Sequence, residues 1–237
     1  MVVAAICCCG VTVCVVLASE LYGWKLHIWD LQSMQVVQGR QVSIASQTIF
    51  LFASSFSKLS ILANYLRIAI VGTRFWKCTV ALIAVVIASI LAFLPLLWAQ
   101  CRPISEYWEL PANSRNCISE GEPLLAQTIV TAVTDFLVYI LPMPTLWAVR
   151  LPRAQRIGHM ALLGLGSVLI AAACMRAYWI WYVEFMTYDV TWYGSYLWMW
   201  AAVEVNLGVI CSSVPAIKPL LVRRSRSESR LRVDIRS

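Results

Sequence analysis

Six stretches of the chain are nearly continuously apolar and long enough to cross a lipid bilayer. They cover residues 2–19, 46–70, 76–98, 124–149, 160–184 and 193–214. A spanning helix needs about 20 mostly apolar residues, because each backbone N–H and C=O must find its hydrogen-bond partner inside the segment. Neither the period-two alternation of strands nor the heptad repeat of coiled coils is present in the sequence. The pattern therefore predicts an all-α, polytopic transmembrane helix bundle of about six spans.

The first apolar stretch has a second interpretation, as a secretory signal. Val16 and Ala18 are acceptable residues ahead of a cleavage site, but no positively charged residue precedes the apolar run. We therefore prefer a membrane span. Residues 1–222 are assigned to the transmembrane domain, and residues 223–237 to a basic cytosolic tail that is predicted to be disordered.

The composition agrees with a membrane protein. Of the 237 residues, 60% are hydrophobic and 13% are charged, and the mean hydropathy is +0.73. One soluble core cannot hide this much apolar surface, so much of it must face lipid.

The charges of the connections predict the orientation, because short loops rich in Lys and Arg are translocated poorly. The basic connections and the tail carry Arg67, Arg74, Lys77, Arg150, Arg153, Arg156, Arg223, Arg224, Arg226, Arg230, Arg232 and Arg236. The other connections have an acidic excess, with Glu106, Glu109, Glu120 and Glu122 beside Arg102 and Arg115, and then Glu184 and Asp189. We expect a multi-pass protein with a cytosolic carboxyl terminus, in the plasma membrane or an endomembrane. The formal net charge of +7 then lies on one face, which favours anionic lipid and not nucleic acid as a partner.

Cysteine chemistry is expected at one place only. Most of the nine cysteines lie inside predicted spans, where Cys acts as a small apolar residue. Cys101 and Cys117 instead share the long outer connection, and an oxidising exterior or lumen favours a disulfide between them.

No metal site is predicted. The adjacent cysteines at 7–9 lack the spacing of a zinc site. The segment His27-Ile28-Trp29-Asp30 offers His27 and Asp30 but no further ligands. Trp24 and Trp29 favour an interfacial turn at this outer connection.

Four ionisable residues lie inside the predicted spans, namely Lys58, Asp135, Arg176 and Glu204. Each costs about 2.5–3.5 kcal/mol near the centre of a span, so each needs a partner or a water-filled cavity. We expect a polar centre in which Arg176 bridges Asp135 and Glu204, and Lys58 or Asn206 completes the network. Two interpretations remain open: a ligand or ion site, and a structural link between helices. No catalytic residue is assigned.

Motifs along nearly the whole chain are distinctive as a set. They are His27-Ile28-Trp29-Asp30, Lys58-Leu59-Ser60-Ile61-Leu62 with Tyr65-Leu66-Arg67, Cys101-Arg102-Pro103-Ile104 with Trp108, Asp135, Leu141-Pro142-Met143-Pro144 with Trp147, Leu151-Pro152 with Gln155, Arg176, Trp200, Glu204, Asn206, Cys211 and Pro215-Ala216-Ile217-Lys218-Pro219-Leu220-Leu221. With these motifs the chain resembles the fungal rhodopsin-like domain family, which is also met as the satratoxin-cluster membrane protein family and is related to Pth11-type receptors. The resemblance implies a seven-helix fold whose first helix is missing here. Lys25 also departs from the family pattern, which usually has a glycine there.

The resemblance does not imply light sensing, and no retinal or other cofactor is expected. A retinal Schiff base requires a lysine in the middle of the last span. That span has Glu204 there, and its lysine, Lys218, lies at the cytosolic exit.

Three functions are compatible with the sequence. The preferred one, implied by the satratoxin-cluster side of the resemblance, is an accessory membrane component of fungal secondary-metabolite biosynthesis with an undefined molecular role. The second is a receptor for an external small molecule, which the Pth11-type resemblance implies. The third is a membrane-embedded cyclase or isomerase that uses Asp135 and Glu204 as acids on an apolar substrate. Arg176 and Lys58 nearby would favour the ionised form of these carboxyl groups, so this interpretation is the least favoured. Phosphate-binding loops, nucleophile elbows and metal-protease helices are not found in the sequence, which disfavours common hydrolases and ATP-driven pumps.

Overall fold

The computed structural model describes residues 2–20, 24, 26–101, 103–108, 117–144 and 153–234, and of these only the backbone at residues 2, 68, 153–162 and 214–234. The described part contains six long α-helices and two short 3₁₀ turns, and it has no strand. The helices are α1 (Val2–Glu20), α2 (Ser33–Ile68), α3 (Arg74–Trp98), α4 (Gly121–Ile140), α5 (Arg153–Phe185) and α6 (Val190–Asp234). The 3₁₀ turns are Ile28–Asp30 and Ile104–Tyr107. The predicted polytopic helix bundle is therefore confirmed.

Five of the helices, α1 to α5, contain segments long and apolar enough to cross a membrane. These segments are Val3–Glu20, Ser33–Arg67, Arg74–Trp98, Gly121–Ile140 and Leu163–Phe185. The protein is thus a multi-pass membrane protein in a lipid bilayer. The sixth predicted span, 193–214, lies within α6, which is not among these five, and it stays a prediction.

The helix boundaries differ from the predicted spans at two places. Helix α2 begins at Ser33 rather than at residue 46, because the polar segment before the apolar run is also helical and carries a reciprocal cap between Gln32 and Gln35. Helix α4 ends at Ile140, just ahead of Pro142, rather than at 149. Proline has no backbone N–H, so Pro142 cannot donate the hydrogen bond that would continue the helix, which explains the early end.

The backbone of the basic tail also differs from the expectation, because α6 continues as a helix to Asp234. Arginine and leucine have high helix propensity, so a helix that has already formed can propagate into this segment. Several charges used in the orientation argument lie outside the described side chains, namely Arg102, Glu109, Arg115, Arg150, Arg153, Arg156 and the arginines of the tail.

The bundle core joins α1 to three other helices. Cys8 and Val11 of α1 pack in one buried cluster with Phe50 of α2, Ile180 of α5 and Val205 of α6. Helix α1 is therefore an integral part of the packing in this structure.

A second apolar cluster holds the middle helices together. Leu62 of α2 meets Leu82 and Val86 of α3 and Val138 of α4. The outer faces remain apolar and exposed, as at Leu91, which is 70% accessible, and they suit contact with lipid.

Helices α4 and α5 approach each other closely because of a glycine. A Cβ atom added at Gly166 would lie 2.3 Å from Cδ2 of Tyr139. No larger residue fits at this crossing without displacing the tyrosine ring. The approach sets the spacing of the two helices that carry Asp135 and Arg176.

The described residues of three connections lie at one end of the bundle, which we call the disulfide end. The connections are residues 21–32, 99–120 and 186–189, and hydrogen bonds link the first to the third through His27 and Asp189. At the opposite end α2 turns into α3 through Gly72, whose φ of +89° is a left-handed conformation that favours glycine. Thr73 then caps α3 by accepting a hydrogen bond from the Trp76 N–H at 3.2 Å.

Candidate functional site

Helices α5 and α6 are joined by a buried ion pair between Arg176 and Glu204. The guanidinium Nε donates to Oε2 at 2.8 Å, and Nη2 donates to Oε1 at 3.4 Å. The side chains are only 4% and 3% exposed. The guanidinium carbon lies 4.2 Å from the centroid of the Phe50 ring, so α2 adds a cation–π contact from one side.

Helices α2 and α4 carry a second buried pair. Nζ of Lys58 lies 3.3 Å from Oδ1 of Asp135. It also donates to the Thr131 carbonyl and to the Thr134 hydroxyl, both at 2.9 Å. The ammonium therefore has three oxygen partners, whereas the other carboxylate oxygen, Oδ2 of Asp135, has none among the described residues.

The expected bridge from Arg176 to both carboxylates was wrong. Both hydrogen bonds of the guanidinium go to Glu204, and Asp135 is paired with Lys58 instead. Each acid thus has its own base, supplied by the helix packed next to it. The four charges form two neutral pairs, which avoids leaving a net charge in the hydrocarbon region.

Asn206 is not part of the polar centre either. Its amide nitrogen donates to the Ala202 carbonyl at 2.7 Å and to the Thr12 hydroxyl at 3.3 Å, and its oxygen accepts from Sγ of Cys8 at 3.2 Å. Two residues along a helix correspond to a rotation of about 200°, so Asn206 and Glu204 face different neighbours. Asn206 links α6 to α1.

Nearer the disulfide end, a small cavity lies beside Arg176 between α2, α4, α5 and α6. Its volume is about 20 Å³. Its lining residues include Gln47, Phe50, Gln127, Arg176, Trp198 and Ala201, but neither Asp135 nor Glu204. The two glutamines could not be recognised as site residues from the sequence, because a single polar residue in an apolar helix gives no sign of which face it occupies.

The predicted disulfide between Cys101 and Cys117 is confirmed. Their Cα atoms are 4.2 Å apart, and the two residues also form an isolated antiparallel β-bridge. The bridge lies in an apolar cluster with Ile44 of α2 and Leu97 of α3. It ties the long connection to the ends of the helices.

A polar cluster beside the disulfide was not foreseen. The Tyr107 hydroxyl donates to Glu120 at 2.6 Å, and Arg40 donates to the Tyr107 carbonyl at 2.9 Å. Burial raises the pKa of the Tyr107 phenol well above its usual value, and the adjacent Glu120 carboxylate raises it further. Gln47 donates to the same carboxylate at 3.3 Å, so this cluster reaches the wall of the cavity.

The outer motif around His27 is organised by a residue that the motif does not contain. Nδ1 of His27 donates to Oδ2 of Asp189, and the imidazole lies between the rings of Trp29 and Trp192, each 4.8 Å away between centroids. Asp30 is exposed. Trp29 is 69% exposed, and the interfacial position expected of Trp24 and Trp29 stays a prediction.

Trp24 and Asp189 are held by different contacts. Trp24 packs inward on Trp198, with ring centroids 5.5 Å apart. Burial opposes ionisation of Asp189, but hydrogen bonds from His27 and from the backbone N–H groups of Trp192 and Ile28 lower its pKa below the usual value. The carboxylate of Asp189 thus holds this turn together by accepting hydrogen bonds from His27, Ile28 and Trp192.

No group of three or more His, Cys, Asp or Glu side chains that could hold a metal ion occurs in the described ranges. The expected absence of a retinal or another cofactor stays a prediction.

Comparison with known protein families gives a match over nearly the whole chain. The family described as the fungal rhodopsin domain matches residues 1–223. The chain belongs to this family. No solved structure matches the chain.

Curated relatives of this fungal rhodopsin domain come from three fungi. The chain is 27% identical over 203 residues to "Receptor GIN3" of Arthrobotrys oligospora, covering 82% of the chain and 46% of that protein. It is 23% identical over 205 residues to "Fugralins biosynthesis cluster protein 2" of Gibberella zeae, with coverages of 84% and 50%. It is 25% identical over 206 residues to a "SAT4 family membrane protein" of Emericella nidulans, with coverages of 86% and 51%. The chain spans about half the length of these relatives.

Proposed function

We propose that the protein is an accessory membrane component of fungal secondary-metabolite biosynthesis, of the mycotoxin type. The observation that carries this proposal is the similarity to a protein of the fugralins biosynthesis cluster over 84% of the chain. Membership of the fungal rhodopsin domain family agrees with it.

The polar centre supports a role without acid catalysis. An acid catalyst must present a protonated carboxyl group to its substrate. Here Glu204 is held by two hydrogen bonds from Arg176, and Asp135 by Lys58. The cavity beside Arg176 is lined by neither carboxyl group. These contacts disfavour the cyclase or isomerase interpretation and favour a structural role for the two ion pairs.

The test is deletion of the gene in its fungus under conditions in which the gene is transcribed. We expect one metabolite or a small family of metabolites to fall in a comparison of culture extracts by mass spectrometry. Reintroducing the wild-type gene should restore them. An unchanged metabolite profile in the deletion strain would contradict the proposal.

A receptor for an external small molecule is the second candidate. The similarity to "Receptor GIN3" over 82% of the chain favours it, and the cavity between four helices offers a place for part of a ligand. The same deletion strain distinguishes the two candidates. Loss of an accessory component should lower the product while the transcripts of the pathway genes stay normal, whereas loss of a receptor should lower those transcripts first.

We also propose that the carboxyl terminus is cytosolic and that the basic tail contacts anionic lipid. The support is the excess of Lys and Arg at the end of the bundle opposite the disulfide. A disulfide at the other end agrees with this orientation, because disulfides persist in the oxidising lumen or exterior.

A further inference from the structure

The cavity beside Arg176 is large enough for one small polar group. Its volume is about 20 Å³, and a space of about 10–15 Å³ on this measure already holds one water molecule. The walls are largely apolar and aromatic, with Phe50 on α2, Ile180 on α5 and Trp198 on α6. A hydroxyl group at the end of an apolar molecule therefore fits the space and its surroundings.

A residue that lines the cavity, Gln47, has an acceptor without a partner among the described residues. Gln47 is only 6% exposed, and its amide nitrogen donates to the Glu120 carboxylate at 3.3 Å and to the Ser43 hydroxyl at 3.4 Å. Because the carboxylate can only accept, the amide nitrogen must face it and the amide oxygen must face the other way. That oxygen, Oε1, is buried and has no hydrogen bond within the described residues. A buried acceptor without a donor is unfavourable, so the site calls for a donor.

Arg176 also lines the cavity, and Glu204 does not use all of its N–H groups. Arg176 uses Nε and Nη2 on Glu204, and its other N–H groups make no hydrogen bond with the described residues. Gln127, also 6% exposed, lines the same space. A bound group that donates to Gln47 can also accept from the guanidinium, since both residues line the cavity.

The charges decide the class of ligand. Glu204 already neutralises Arg176, so a carboxylate or phosphate in the cavity would bring an uncompensated negative charge into a buried site. An ammonium group would face the guanidinium. An ether or ketone oxygen accepts but cannot donate, and would leave Gln47 without a partner. A neutral hydroxyl group meets both requirements.

We propose that this cavity is a subsite for the hydroxyl group of an uncharged, mostly apolar alcohol, with the oxygen accepting from Arg176 and the proton donated to Oε1 of Gln47. The inference does not rest on the accessory role, because a pathway component and a receptor can both bind such a molecule. A single water molecule is the competing occupant, since it offers the same donor and acceptor.

The experiment compares three probes on the full chain purified in detergent. They are 1-decanol, decyl methyl ether and decanoate, each added at the same mole fraction in the micelles, and the thermal unfolding midpoint gives an apparent affinity for each. We expect the alcohol to bind roughly 10-fold more tightly than the ether or the acid. The ether would leave the oxygen of Gln47 unpaired, and decanoate would bring an uncompensated negative charge. Equal affinities for the three probes would overturn the proposal and leave water as the occupant.

Two variants locate the effect. Gln47→Met removes the acceptor and should abolish the preference for alcohol over ether. Gln100→Met is the matched control: Gln100 is 5% exposed and its Oε1 also lacks a partner, but it does not line the cavity, so this variant should keep the preference. If Gln47→Met keeps it too, the assignment is wrong.

A third variant covers the case in which Gln47→Met does not fold. Ala201 is 2% exposed and lines the cavity from α6. Ala201→Leu fills the space while leaving Gln47 and Arg176 in place, and it should lose the binding of 1-decanol. Retained binding in this variant, with a normal elution profile in gel filtration, would place the alcohol elsewhere and overturn the proposal.

Discussion

The pairing of the four buried charges can be tested by second-site rescue. Among the described residues, Arg176 is hydrogen-bonded to Glu204 and to no other carboxylate. Arg176→Leu should therefore be rescued by Glu204→Leu, which removes the carboxylate left behind. Asp135→Leu should not rescue it, because it leaves Glu204 unpaired and takes the partner of Lys58 as well.

The size of the effect follows from the burial of the pair. The side chains of Arg176 and Glu204 are 4% and 3% exposed, so the small values measured for exposed ion pairs do not apply. Breaking a buried pair by removing one partner costs about 3–5 kcal/mol, whereas replacing both partners with apolar residues is often nearly neutral. Insertion scales give about 2.5–3.5 kcal/mol for one charge at mid-membrane. We expect a loss of about 3 kcal/mol for Arg176→Leu, most of it recovered in the rescued double variant.

The measurement is the fraction of folded protein after titration with sodium dodecyl sulfate in mixed micelles, followed by gel filtration of fluorescent fusions. A difference of about 3 kcal/mol corresponds to roughly a 100-fold change in the ratio of folded to unfolded protein. The wild type and the double variant Arg176→Leu with Glu204→Leu should be the most stable and close to each other. Arg176→Leu alone should be less stable, and Arg176→Leu with Asp135→Leu the least stable. Equal rescue by the two second-site changes would refute the assignment of separate pairs. It would instead favour a network in which Arg176 is shared by both carboxylates.

Three further predictions concern the disulfide end and the topology. Replacing Cys101 and Cys117 with Ser should lower the stability by about 3 kcal/mol in the chain-entropy model, and dithiothreitol should lower the unfolding temperature of the wild type but not of this variant. Because the pKa of Asp189 is lowered in the folded protein, its carboxylate stabilises the fold above the ordinary Asp pKa of about 3.9 and loses this effect as the pH falls toward the folded pKa. Asp189→Asn should accordingly flatten the fall in unfolding temperature below about pH 4, and parallel curves for variant and wild type would contradict this. A glycosylation-site tag fused to the carboxyl terminus should stay unmodified, and its modification would invert the proposed orientation.

The membrane-spanning character and the loop disulfide could be predicted because each depends on a local property. A run of apolar residues must become a helix in lipid whatever its neighbours are. Cys101 and Cys117 lie in the same connection, close together along the chain, whereas most of the other cysteines lie in apolar segments. Their disulfide could therefore be predicted from their spacing and from the oxidising compartment. The polar start of α2 was missed because hydropathy identifies spans and does not identify their water-facing extensions.

The partners of the buried charges were decided by the tertiary structure alone. From the sequence, Lys58, Asp135, Arg176 and Glu204 reach similar depths, and depth alone allows any acid to meet any base. The rotation of each helix about its axis selects the partners, and that rotation is set by contacts such as the approach of α4 and α5 at Gly166.

The sequence by itself determined that the chain crosses the bilayer repeatedly as helices and that its buried charges must be compensated, because both follow from the cost of leaving polar groups in hydrocarbon. Only the tertiary structure decided that two separate pairs do this, that Asn206 joins α1 instead, and that Gln47 faces a cavity beside Arg176. Which helices are neighbours, and which faces they turn toward each other, depends on the packing of all side chains at once, and a pattern read along one chain does not contain it.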